Sequence, residues 1–366
     1  MSSRTDRQIT FMQHMLFNSG IQISVVFLSL PSVVAERAGT DGWIAIIIGW
    51  SLSAAASLAV VRLMSKQPDG TVLDLITRVL GKWMGKAFAV ILALYFLVFG
   101  YWGITKAILI TKIWVLSQTP AYLIMMLFLI PSYMVMRHGP AILARYAEII
   151  IFLSLWIPFA YLIPIRDAHW LHLLPVLKEG WMPILAASQS TIYSYVGFGT
   201  TLFIYPSLKD KHRAAWGLFL SNTLTLVVYL LITIACFVYF SPDEITSYHE
   251  PVIPLLKAIE FRFVERIEVI FIAYYLLLFS MGWIPVFYVT VYCTTWLLGG
   301  KDHRFHLRIL CVALAAGSYF FMPSFYLNEQ MDSLVALCGI GIEYILPILL
   351  LMYIWLAARL RRRTAE

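Results

Sequence analysis

Charge is scarce in this chain: Asp, Glu, Lys and Arg make up 13% of its 366 residues, while 61% are hydrophobic. Soluble domains carry about twice that share of charge, so a water-soluble globule is excluded. No polar stretch is long enough to form a separate soluble domain. Cysteine is also sparse. Cys236, Cys293, Cys311 and Cys338 all fall in apolar runs without CxxC spacing, so they read as small core residues rather than a disulfide framework or metal site. Enzyme signatures are missing: there is no GxSxG, HExxH, Walker A or GxGxxG, and the 8 histidines are scattered. His138-Gly139-Pro140 reads as a turn. The chain is therefore expected to have no catalytic residue, cofactor or metal.

What is present is a series of long apolar runs, with a mean hydropathy of +0.80. They predict an all-α polytopic membrane protein, one transmembrane domain over residues 1–366. Ten spans are expected, near 9–34, 43–64, 87–116, 121–136, 141–165, 184–206, 214–240, 267–298, 309–327 and 334–358. Val33-Val34-Ala35 imitates a signal-peptidase site, but the preceding run is longer than a signal core and carries Gln13, His14, Asn18 and Gln22. With both termini cytoplasmic, nineteen of the 27 Lys and Arg fall on the inside. They run from Arg4 and Arg7 through Arg62 and Lys301 to Arg361, Arg362 and Arg363, against six outside, which include Arg262 and Arg266. This asymmetry satisfies the positive-inside rule and accounts for the net charge of +7 without nucleic acid. The lipid bilayer is the expected partner. Residues 71–85 predict an amphipathic cytoplasmic helix with Leu73, Ile76, Leu80 and Trp83 on its apolar face. The extracytoplasmic loops 166–183 and 241–265 are the longest, and the apolar run from Val252 in the second is expected to fold back over a pocket mouth.

Two spans are interrupted by polar and small residues. Ser188 to Pro206 holds three serines, three threonines and two glycines, and Asn18-Ser19-Gly20-Ile21-Gln22-Ile23-Ser24 lies in the first span. Freed backbone groups are tolerated at membrane depth only where protein buries them or they line a cavity. Breaks in the first and sixth of ten spans divide the chain into repeats of about 9–165 and 184–358 in a five-plus-five inverted arrangement, with a ligand site at their interface. Free N–H groups there attract a carboxylate and free carbonyls an ammonium, which points to a small zwitterion such as an amino acid. The expected backbone positions are Ser24, Val25, Val26, Tyr195, Val196, Gly197 and Gly199, with Tyr95 and Phe99 closing the pocket from span three. Close packing of small residues is the alternative use of those positions. Lys106, Glu148 and Glu343 are ionisable residues inside spans and are candidates for proton or ion coupling. Lys106 and Glu343 are expected to form a buried pair or a relay, and Glu148 to meet Arg145 or the interface.

Several runs resemble one known family. Phe27-Leu28-Ser29-Leu30-Pro31, Asp41-Gly42-Trp43 and Leu80-Gly81-Lys82-Trp83-Met84-Gly85-Lys86 are similar to the N-terminal half of spore germinant receptor B subunits of the GerA-operon type. Leu174 to Gly180, Tyr195-Val196-Gly197-Phe198, Leu202 to Pro206 and Val264 to Glu268 resemble its second half. The resemblance implies a ten-helix member of the amino acid-polyamine-organocation superfamily with a LeuT-like fold. It further implies a nutrient-sensing subunit that sits beside a larger membrane subunit and a lipoprotein in the spore inner membrane. The chain departs from the family twice, with Ser24-Val25-Val26 in place of a Gly-small-Gly run, and with Gly199 where a glutamate is frequent.

Three functions are therefore open: an amino acid sensor that triggers germination, a secondary transporter coupled to protons or sodium, and a membrane scaffold with a vestigial pocket. A basic residue deep in span five would favour proton coupling in this superfamily, and span five offers Glu148 instead.

Overall fold

The computed structural model describes residues 8–257, 259, 267–300 and 302–363. Arg4, Arg7, Arg262, Val264, Glu265, Arg266 and Lys301 lie outside the described residues, as do the side chains of Val25, Ile267, Glu268, Arg361, Arg362 and Arg363.

Most of the described chain is helical, because a polypeptide in lipid must satisfy its backbone within each segment. Among the described residues, six helical stretches are long and apolar enough to cross a membrane, and Ala121–Met136 is a shorter apolar helix. Many large apolar side chains on the outer faces of the helices are exposed, among them Ile91, Leu94, Ile130, Ile149 and Phe152. In water this would be a liability; here hydrocarbon is the solvent.

Helix α1 (Phe11–Val26) starts at a capping box in which the Thr10 hydroxyl accepts from the Gln13 amide and the Gln13 side chain accepts from the Thr10 amide. It runs unbroken through Asn18–Ser24, so the interruption expected there lies later, at Phe27–Ser29, before α2 (Leu30–Ala38). The reason is packing. Phe27 is anchored against Tyr275 and Tyr161, with ring centroids 5.4 and 6.1 Å apart, and Pro31 opens the new helix. The chain reverses at Gly39–Asp41 and continues as α3 (Gly42–Met64).

Helix α4 (Val72–Leu80) buries Leu73 and Ile76 and leaves Leu80 half-buried. It stops at Gly81, whose φ of 92° only glycine adopts readily. Residues 82–85 therefore belong to the next helix, α5 (Lys82–Trp114), and Trp83 is exposed rather than on the buried face. Then follow α6 (Ala121–Met136) and α7 (Pro140–Ser154). The 166–183 loop is tied down by Asp41, whose carboxylate accepts from the amides of Leu177 and Lys178 at 3.0 and 3.2 Å.

The second half begins with α8 (Trp181–Ser194), which breaks and resumes as the short α9 (Thr201–Ile204). Next come α10 (Ala214–Tyr239), α11 (Val252–Lys257), α12 (Ile267–Phe279) and α13 (Ile284–Leu297). Val252, Ile253, Leu255 and Leu256 of α11 are buried, so this part of the 241–265 loop folds back on the bundle. The last two spans are shifted from the sequence expectation. Helix α14 is His303–Phe320 rather than 309–327. The final helix starts at Phe325 rather than 334, as α15 (Phe325–Gly339), a π-helical segment Ile340–Ile345, and α16 (Leu346–Arg363).

Ile9 bridges to Leu208, which places the start of α1 and the end of the broken α8–α9 segment on one face, here the near face. The far face carries the ends of α2 and α5 and the starts of α8 and α15.

Candidate ligand site

The break between α8 and α9 is set by Gly197. Its φ of 129° is a conformation that L side chains rarely adopt, and a Cβ there would stand 2.5 Å from Ile21 Cγ2 of α1. Helix α8 therefore ends at Ser194, and the chain passes through Tyr195–Gly197 into a 3-10 turn at Phe198–Thr200. This frees amides and carbonyls in the interior, and each has to find a partner.

The freed amides are taken by Glu343. Gly197 and Gly199 both donate their N–H to Glu343 Oε2 at 2.8 Å, and the Tyr95 hydroxyl donates to Oε1 at 3.1 Å. The approach depends on Gly199, since a Cβ at that position would lie 2.6 Å from Glu343 Cγ and 2.7 Å from Cδ. The π-helical turn that carries Glu343 aims it inward, a local widening common at functional positions. The carboxylate that residue 199 does not provide thus reaches the same break from the last helix. The carboxylate is fully buried, and three donors offset the cost of holding it away from water.

The freed carbonyl of Tyr195 is likewise satisfied internally. Gln22 Nε2 lies 2.8 Å from Tyr195 O and 2.8 Å from Asn222 Oδ1, while Thr225 donates to Gln22 Oε1 at 2.8 Å. Asn18 Nδ2 donates to the His14 carbonyl, and Ser19 bonds Thr225. The polar run Asn18–Ser24 is therefore a hydrogen-bonding edge on an intact helix facing α10 and the break, not an unwound stretch of its own.

The other expected site residues fall as follows. Ser24 is buried, donates from Oγ to the Ile21 carbonyl at 2.7 Å, and accepts at its own carbonyl from Tyr275 at 3.3 Å. Val25 lies within α1, and Val26 ends that helix and borders a cavity. Tyr95 and Phe99 share a face of α5, their centroids 6.0 Å apart. The Tyr195 hydroxyl reaches the Ile46 carbonyl at 3.4 Å, and Val196 is buried. The expected pairing of Lys106 with Glu343 is overturned: Lys106 Nζ lies 3.6 Å from Asp332 of α15, while Glu343 is held by the amides and Tyr95. Glu148 accepts from Gln13 Nε2 at 2.9 Å and ties α7 to α1.

A cavity of about 410 Å³ opens between α2, α8 and α15 on the far face and ends just above the breaks. Val26, Lys106, Tyr193, Ser194, Asp332 and Ile340 border its inner part. At its mouth, His249 Nδ1 meets Glu329 Oε1 at 3.2 Å. Asp332 and Glu329 were hidden in the sequence because the polar run 328–333 reads as a loop between spans. A signal for them exists: 329, 332, 333, 336, 337 and 340 repeat at helical spacing, and all six border the cavity.

The chain matches the spore germination protein family over residues 8–333. It is 23% identical to spore germination protein GerQB of Bacillus cereus over 253 residues, covering 69% of this chain and 70% of that one. With spore germination protein YndE of Bacillus subtilis (strain 168) it shares 23% identity over 297 residues, 79% of each chain. Among solved structures it is similar to Mhp1, a nucleobase-cation-symport-1 family transporter in a closed conformation with bromovinylhydantoin bound. That likeness has a TM-score of 0.52 at 14% identity and covers 92% of this chain and 76% of that one. The fold is thus LeuT-like and transporter-like. Since the family match extends over residues 8–333 of the 366, the chain belongs to the spore germination protein family.

Proposed function

We propose that this chain is the nutrient-sensing subunit of a spore germinant receptor, lying in the spore inner membrane with cytoplasmic termini beside a larger membrane subunit and a lipoprotein. The observation that carries the reading is the far-face cavity descending onto two interrupted helices. With the basic residues Arg62, Lys66, Arg78, Lys82 and Lys86 near the other face, the positive-inside rule makes the cavity extracytoplasmic, open to arriving nutrient. An amino acid bound there signals by favouring one arrangement of the bundle over another; equal affinity for both would shift nothing. The test is Ala336→Leu, which adds bulk at the cavity wall, in spores. Loss of the nutrient response at unchanged protein level is expected, and an unchanged response overturns the site.

A specific observation favours a second reading, a scaffold with a vestigial pocket: Glu343 and Gln22 already fill the hydrogen-bonding positions at the break. Under that reading, no substitution bordering the cavity alters germination. Transport is the third reading, and uptake of labelled amino acid by proteoliposomes, collapsed by an ionophore, would support it. Mass spectrometry of what co-purifies with the tagged chain from spores tests the partner subunits directly.

A further inference from the structure

We infer that the ligand seat is not at the unwound backbone but one level farther out, where Lys106 and Asp332 hold the two poles of an α-amino acid. This rests on the reading that the chain binds a nutrient, and it specifies where and by which groups.

The break has little left to offer a zwitterion. The amides of Gly197 and Gly199 already donate to Glu343, so a ligand carboxylate brought there would have to displace it, and the Tyr195 carbonyl already faces Gln22. The carboxylate of a ligand therefore needs another cation. Of the described residues bordering the cavity, Lys106 and Arg37 are the Lys and Arg side chains, and Arg37 stands at the mouth, its guanidinium donating to the Ala186 carbonyl. Lys106 is the deep one, its side chain 14% exposed.

Its partner geometry fits insertion. Lys106 Nζ and Asp332 Oδ2 are 3.6 Å apart, long beside the roughly 2.8 Å of a charge-assisted hydrogen bond, so the pair is loosely made. Both residues border the cavity, as do Ser190 and Ser194 of α8. An amino acid lying between them exchanges one loose contact for two, carboxylate to ammonium at Lys106 and ammonium to carboxylate at Asp332. Charge balance narrows the class. Glu36, Glu329 and Asp332, with Glu250 close by, stand against Arg37, Lys106 and His249, so the surroundings lean negative and disfavour a net anion, while Lys106 at the inner end gives a ligand carboxylate its one deep cation. At about 410 Å³, the cavity lies in the range of small-molecule sites. Phe99, Trp102, Tyr193, Phe279 and Val335 form a tight apolar hollow of about 10 Å³ beside the Lys106–Asp332 pair, with room for a methyl-sized side chain and no more.

The test is equilibrium dialysis of the full-length chain in nanodiscs against an equimolar mixture of the twenty L-amino acids, read by mass spectrometry. The native chain is expected to retain at least one aliphatic amino acid. Lys106→Met and Asp332→Asn should each weaken retention by about tenfold or more, as loss of one hydrogen bond to a charged group implies. If either single variant fails to elute as a folded monodisperse protein, the double variant Lys106→Met/Asp332→Leu carries the test, since it removes the lysine and its carboxylate partner together. Retention that survives these changes but falls in Glu343→Gln overturns the outer seat and returns the ligand to the break, leaving the sensing function standing. No retention by the native chain overturns both.

Discussion

The contact between Glu343 and the glycine backbone makes a thermodynamic cycle with an unusual expected outcome. Gly199 has an ordinary φ, so Gly199→Ala costs no backbone strain of the left-handed kind. Its penalty comes from the new Cβ, 2.6 Å from Glu343 Cγ, which forces the carboxylate off the amides of Gly197 and Gly199. Each hydrogen bond to a charged group contributes about 1.5–3 kcal/mol, so losing both costs about 3–6 kcal/mol. Glu343→Ala strands the same two amides, at about 1–3 kcal/mol each. The double variant should be no worse than Glu343→Ala alone, because with the carboxylate gone the methyl introduced at position 199 meets nothing of it. Thermal unfolding of the four detergent-solubilised proteins measures this, with a coupling of about 3–6 kcal/mol between the two sites. If the two losses simply add, to within about 0.5 kcal/mol, the carboxylate does not rest on the amides as described and the argument for an occupied break fails.

Two further outcomes follow from the interior hydrogen bonds and the far-face loop. Gln22→Leu removes the donor from Tyr195 O and the acceptor from Thr225, and should destabilise the chain by about 2–4 kcal/mol in the same unfolding assay; Gln22→Glu keeps the acceptor alone and should not restore the loss. Asp41→Ala releases the Leu177 and Lys178 amides, so trypsin should cut after Lys178 several-fold faster than in the native chain, while an equal rate would mean that Asp41 does not hold the loop.

Much of the architecture was legible because lipid leaves the backbone so few choices. Hydropathy placed most of the spans, and Gly197 marked the second break because the conformation it adopts is one that side chains disfavour. The first break was misplaced for an instructive reason. Asn18, Ser19 and Gln22 look like unwound backbone in a hydropathy reading, yet their polarity serves the neighbouring segments, and the actual interruption at Phe27–Ser29 is held by apolar ring packing. Composition does not distinguish a helix that is broken from one that repairs a break elsewhere. The partners of Lys106 and Glu343 were equally out of reach, since Asp332 is 226 positions from Lys106 and Glu343 is 144 from Gly199. Only the tertiary arrangement decides which acid meets the lysine.

The last helix carries both acids. Asp332 and Glu343 are eleven positions apart on one continuous rod, roughly 16 Å along its axis. One end borders the open cavity, and the other grips the kinked segment of α8–α9. A push at the upper acid is therefore felt at the lower one unless the wider π-helical turn between Ile340 and Ile345 takes up the stroke. The rod and its one soft joint form a lever whose load is a single carboxylate.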